Sequence, residues 1–172
     1  MNTYSALHAP VFENSGAWPV DTAKVLYAED DPAIRRLSAL ALSRSGYAVT
    51  TVGDGQQAWE ALHVEQFDLL VTDNDMPRLT GLELITKARL DGIELPIIVA
   101  CGSADSFAGG EWEWLRLAAT LQKPFSPDDL LNSVKQVLRA AASLDQDRDG
   151  LIRAFTEAAM SVEPVQHWGI NE

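Results

Sequence analysis

The chain has 172 residues, 47% hydrophobic and 22% charged, which suits one packed domain with short extensions and is too short for two full-sized ones. Its net charge of −12, with 13 scattered basic residues, argues against a nucleic-acid surface; no apolar run reaches the roughly 20 residues of a membrane span. The opening MNTYSALHAP lacks the basic region and apolar core of a secretory signal, and a lone cysteine, Cys101, allows no internal disulfide, so a cytoplasmic protein is expected.

Residues 1–21 contain Pro10, Asn14, Gly16 and Pro19 without sustained periodicity and are predicted to be a loose extension. From residue 22 to 142 short apolar runs alternate with helix-like segments, the pattern of an α/β domain with a parallel sheet. The strand candidates are Val25 to Ala28, Tyr47 to Thr50, Asp68 to Thr72, Pro96 to Ala100 and Thr120 to Gln122. Three are almost continuously apolar, as strands buried on both faces are. Asp31-Pro32 caps a first helix that Gly46 ends, with Ile34, Leu37 and Ala41 sharing one face. Asp54 caps a second, with Ala58, Trp59 and Leu62 as its apolar stripe. Thr80 or Gly81 opens a third, with Leu82, Ile85 and Ala88 inward. A fourth is predicted from near Asp105 through Leu117. Ser126-Pro127-Asp128-Asp129 forms a capping box for a fifth, carrying Leu130, Val134, Val137, Leu138 and Ala141. Residues 143–172 are read as a tail with a short helix, Leu151 to Met160, on which Leu151, Phe155 and Ala158 share a face.

In an open parallel sheet, ligands bind beyond the carboxyl ends of the strands. Here the first strand candidate ends at Glu29-Asp30-Asp31, the third at Asp73 and the fifth at Lys123-Pro124. Carboxylates gathered from separate strands need a cation or a bound proton, and Mg²⁺ suits them: it is hard, prefers oxygen and keeps room for a phosphate. An aspartate can attack phosphorus and form an acyl phosphate, while a lysine ammonium neutralises the transferring oxygens. Asp31, directly before Pro32, reads instead as a helix cap. A cis Lys123-Pro124 bond is compatible with the sequence.

VLYAEDDPAIRRL, FDLLVTDNDMPRLTGLEL, LPIIVACG and LQKPFSPDDLL together resemble, in order and spacing, the signatures of receiver domains in two-component response regulators. The resemblance implies a CheY-like, flavodoxin-like (βα)₅ fold, a doubly wound five-stranded parallel sheet in the order 2-1-3-4-5. It implies that Asp73 is the phosphoacceptor, supplied by a sensor histidine kinase or a histidine phosphotransfer protein, and that Lys123 is the family's lysine. Glu29 and Asp30 match the Mg²⁺-binding acids, and Asp75 matches the position whose backbone carbonyl completes the metal site. It implies no enzyme beyond the domain's own phosphorylation and dephosphorylation, signalling to a downstream protein, and a homodimer as one assembly of the face made by the fourth helix, last strand and fifth helix. After Ala142 only a short stretch follows, so a stand-alone receiver is expected.

Two positions depart from the pattern. Cys101 stands at the switch position where the family usually has Thr or Ser, and a thiol is a weaker donor; Ser103, two residues on, is a candidate substitute. Thr120 replaces the usual aromatic of strand five. Both leave phosphoryl uptake intact and favour an alternative, a receiver-like scaffold that binds its partner without phosphorylation. Asp73-Asn74-Asp75 also imitates the DxD of haloacid-dehalogenase phosphatases, but Pro77 and the third-strand position of Asp73 argue against that reading. Asp145, Asp147, Asp149 and Gly150 copy half an EF-hand loop, yet Thr156 occupies the twelfth position, so a polar linker is expected. Trp112 and Trp114 lie two apart in a predicted helix and cannot both face one core. His8, His63 and His167 have no metal-ligand spacing.

Overall fold

Strand-length apolar runs separated by capped amphipathic segments alternate as strand and helix in the computed structural model, which describes residues 23–102 and 110–160. The strands are β1 (Lys24–Ala28), β2 (Ala48–Val52), β3 (Leu69–Asp73), β4 (Ile97–Cys101) and β5 (Ala119–Gln122). The helices are α1 (Pro32–Arg44), α2 (Gly55–Val64), α3 (Gly81–Leu90) and α4 (Pro127–Met160), with a 3₁₀ segment at Gly110–Leu115. All strand pairs are parallel, in the order β2-β1-β3-β4-β5. This is the expected flavodoxin-like sheet. The reversal of strand order between β1 and β3 opens the crevice where ligands collect.

Alternation along the strands divides the core in two. Val25, Tyr27, Val71 and Ile98 face Leu42 of α1 and Leu130, Val134 and Val137 of α4. Leu26, Leu70, Ile97 and Val99 face Ala58 of α2 and Leu84 and Ile85 of α3. Every residue of β3 and β4 is buried, including the polar Thr72 and Asp73 that end β3, while the edge strand β2 is half exposed.

The helix starts follow the caps. Asp31 accepts from the amides of Ala33 and Ile34, and Asp54 from that of Gln57. Thr80 and Glu83 close a capping box, and Ser126 and Asp129 bond reciprocally at the start of α4.

One shared face turns outward, and two expectations need correction. The buried residues of α1 are Ser38 and Leu42, whereas Ile34, Leu37 and Leu40 are exposed. The apolar stripe at Ile34 and Leu37 therefore does not face the core. The fourth helix appears among the described residues only as the 3₁₀ segment at Gly110–Leu115; Ser103 and Asp105 lie outside them, as do residues 1–21 and the end of the tail. Within that segment Trp114 is 48% exposed. Finally, Asp145 to Gly150 is neither loop nor linker: α4 is continuous for 34 residues, so the half EF-hand spacing is spread along a helix and cannot wrap an ion.

Gly81 ties this architecture to the strand ends. A Cβ there would collide with the Asp73 carbonyl oxygen, and the Gly81 amide donates to Asn74 O at 2.9 Å. Gly81→Ala is expected to destabilise the fold by about 2 kcal/mol or more, measured by urea denaturation, because backbone rather than a flexible side chain must move.

Candidate functional site

The register aligns Ala28 of β1 with Thr72 of β3, so the next residues, Glu29 and Asp73, emerge side by side. β4 delivers the third group: the Cys101 carbonyl accepts from the Lys123 amide at 2.8 Å, and the Lys123-Pro124 peptide is cis. Lys123 Nζ lies 2.7 Å from Asp73 Oδ2 and 3.2 Å from Glu29 Oε2. The two carboxylates are almost sealed from solvent, with side chains 4% and 2% exposed. Asp30 is exposed at the mouth, and carboxylate oxygens of Glu29, Asp30 and Asp73 lie within 4.8 Å of one another. Asp75 is exposed and its carboxylate is not in that group; its side chain accepts from Asn74 Nδ2 at 3.2 Å.

Burial pushes the Glu29 carboxyl above its ordinary pKa, and the neighbouring Asp73 charge adds to this; Lys123 pulls the other way. For Lys123 burial alone would lower the value, but the hydrogen bond and charge of Asp73, and then of Glu29, hold it above the usual lysine range. One ammonium therefore serves two buried acids, with a third at the rim. Asp73 Oδ1 is buried without a hydrogen-bond partner. An orphaned carboxylate oxygen facing two further carboxylates is what a hard, oxygen-seeking divalent cation such as Mg²⁺ satisfies, so these residues fit the ion.

A family model described as "Response regulator receiver domain" matches residues 25–135. The chain belongs to that family. It is 38% identical over 118 residues to the response regulator receiver protein CpdR of Brucella abortus (strain 2308), covering 69% of this chain and 98% of CpdR. It is 34% identical over 148 residues to the response regulator MprA of Mycobacterium ulcerans (strain Agy99); there the match covers 84% of this chain and only 62% of MprA. Among solved structures, the response regulator TrrA of Thermotoga maritima, in complex with Mg²⁺-BeF, superposes with a TM-score of 0.61 at 26% identity, covering 67% of this chain and 99% of TrrA.

Around the acids of this receiver domain, two arginines do work that sequence reasoning missed. Arg35 Nη1 donates to the carbonyls of Glu29 and Asp30 at 2.6 and 3.1 Å, gripping the backbone that aims both acids. Arg78, at φ +67°, pairs with the buried cap Asp54, whose other oxygen accepts from the Gln57 amide. A Cβ on Gly55 would collide with Leu79 O, so the loop after β3 is pinned to the start of α2. No motif announces these contacts, since one acceptor is backbone and the other is distant in sequence.

The departures from the family pattern also have places. Cys101 is buried at the end of β4, and Thr120 is exposed on β5. Beside Lys123 a cleft of about 400 Å³ is lined by Ile34, Leu37, Ser38, Pro124, Phe125 and Pro127. It lies where Ile34 and Leu37 of α1 face outward. No helix among the described residues is long and apolar enough to cross a membrane.

An acid whose pKa is raised by folding holds its proton more tightly in the folded chain, so its contribution to stability falls as pH rises above its unfolded value. The stability of the metal-free protein relative to Glu29→Gln is therefore expected to fall as pH rises from about 4.5. Urea denaturation in chelator across pH 4 to 8 measures the difference. A difference that rises with pH would contradict the assignment.

Proposed function

We propose that Asp73 accepts a phosphoryl group from a phosphohistidine on a sensor histidine kinase or histidine phosphotransfer protein. The observation that carries this reading is Lys123 Nζ held between Asp73 and Glu29 while Asp73 Oδ1 lacks a partner. A carboxylate oxygen of Asp73 forms the new O–P bond as the N–P bond breaks, its electron pair staying on the donor imidazole. The product is an acyl phosphate on Asp73. Lys123 neutralises charge on the transferring oxygens and is already in place when the donor arrives. Glu29, Asp30, Asp73 and the backbone carbonyl of Asp75 would hold Mg²⁺, which would supply charge neutralisation of the phosphoryl oxygens. The Mg²⁺-BeF complex of TrrA supports this by family likeness. The chain acts as a cytoplasmic signalling module rather than as an enzyme on other substrates, and it signals by binding a further protein. The surface around Trp114 and β5 is one candidate for that contact and for a homodimer.

Asp73→Asn is expected to abolish labelling by a small-molecule acyl phosphate in the presence of Mg²⁺, read by phosphate-affinity electrophoresis. Undiminished labelling would reject the phosphoacceptor assignment. Cys101 and Thr120 favour a second reading, in which a partner binds regardless of phosphorylation, because a thiol bonds a phosphoryl oxygen more weakly than a hydroxyl does. Under that reading the same variant keeps its partner.

A phosphohistidine must approach Asp73 on a protein surface, and the apolar cleft flanking Lys123 offers the adjoining docking area. Leu37 is 57% exposed there. Leu37→Asp is expected to slow transfer from the phosphohistidine protein at least about tenfold. Labelling by the small-molecule donor, which needs no docking, should be unchanged. Equal slowing with both donors would mean that the substitution disturbs the site itself.

A further inference from the structure

The stripe that fixes α4 to the sheet does not stop where the sheet stops. Strands of five residues span roughly 17 Å, whereas the 34 residues of α4 run for about 51 Å. Leu130, Val134 and Val137 occupy the core. Continuing in alternate steps of three and four residues, the next positions are Ala141, Leu144, Arg148, Leu151, Phe155 and Ala158, all on the same continuous helix. Steps of three and four average 3.5 residues, the heptad period of a left-handed coiled coil, and Arg148 is the one polar residue in the series. Leu144 is 71% exposed, so the stripe has left the domain's own core by that point.

We propose that α4 beyond Ala141 is the seam of a parallel, in-register, two-stranded coiled coil with a second copy of this chain. Asp145 to Gly150 contains three aspartates and a glycine, poor helix formers, and an isolated helix of this length and composition is not stable in water. Its helical state needs burial supplied from outside the domain. Setting Val134 as a and Val137 as d puts Gly150, Arg153 and Glu157 at c, f and c, away from the seam. The same register puts Arg148 at a, with Asp145 at e and Asp147 at g. In an in-register pair the a positions of the two copies fall at the same level of the helix, Arg148 among them, with the acidic e and g positions in the same register. A single polar a position is the usual device for fixing register and a two-stranded state.

The proposal concerns the helix alone and stands whether or not Asp73 is phosphorylated. Sedimentation equilibrium of the full chain is expected to show a concentration-dependent dimer. Leu144→Asp and Leu151→Asp should each raise its dissociation constant at least about tenfold, Arg148→Leu should lower it, and Gln146→Ala, at f, should leave it in place. In a glutathione redox buffer Leu144→Cys should form an interchain disulfide that Gln146→Cys does not, since the native Cys101 is buried. The proposal is overturned by a chain that stays monomeric at all attainable concentrations. It is equally overturned by a dimer indifferent to both seam aspartates, or by cross-linking as efficient from Gln146→Cys as from Leu144→Cys.

Discussion

Lys123 Nζ, 2.7 Å from Asp73 and 3.2 Å from Glu29, holds the ends of three strands to one point. Removing two carboxylates and an ammonium from water costs several kcal/mol per ion, by order of magnitude, and mutual attraction offsets that only with good geometry. The geometry is set by backbone: β1 and β3 pair directly, and the Cys101 carbonyl holds the Lys123 amide. Even so, one positive charge faces two buried acids and a third, Asp30, at the rim. The imbalance makes the pocket receptive to a further cation. It also explains why the acids are braced from behind by Arg35 through their carbonyls, where the guanidinium steadies the loop without neutralising the carboxylates.

The bracing extends to the loop after β3. Gly81 and Gly55 are positions where the chain approaches other backbone too closely for a Cβ, and Arg78 reaches the buried Asp54. Asp73 thus sits at the end of a buried strand whose following loop is fastened on two sides. If Asp73 is the phosphoacceptor proposed above, that rigidity serves it, because the reacting atom is positioned before a donor arrives.

Much of this was legible in the sequence. Charged residues directly after apolar strands can only gather at one edge of a parallel sheet, so Glu29, Asp30, Asp73 and Lys123 could be placed from order alone. The capped helix starts were legible too, because each is a local motif. What failed was anything decided by a distant partner. Ile34 and Leu37 have the spacing of a core stripe, yet α1 turns Ser38 and Leu42 inward, and the Ser38 hydroxyl meets buried Tyr27, whose phenol is pushed up to about 12 chiefly by burial. The acids and glycine of Asp145 to Gly150 carry the local chemistry of a loop, but α4 runs through them, and the stripe of period 3.5 that runs through the same residues is visible only over a window longer than any single motif.

The two departures from the family pattern, Cys101 and Thr120, both lie outside the acidic group. Cys101 contributes to the site through its carbonyl, which any residue would supply, so exchanging the side chain at this position leaves Lys123 held as before. Thr120 is exposed on β5 and lies next to no member of the acidic group in the sheet, its register partner being Val99. The position of Lys123 beside the acids therefore rests on main-chain geometry that neither side chain supplies. The element that outgrows the domain is α4, which packs against α1 and β5 at one end and carries its apolar stripe out of the core at the other.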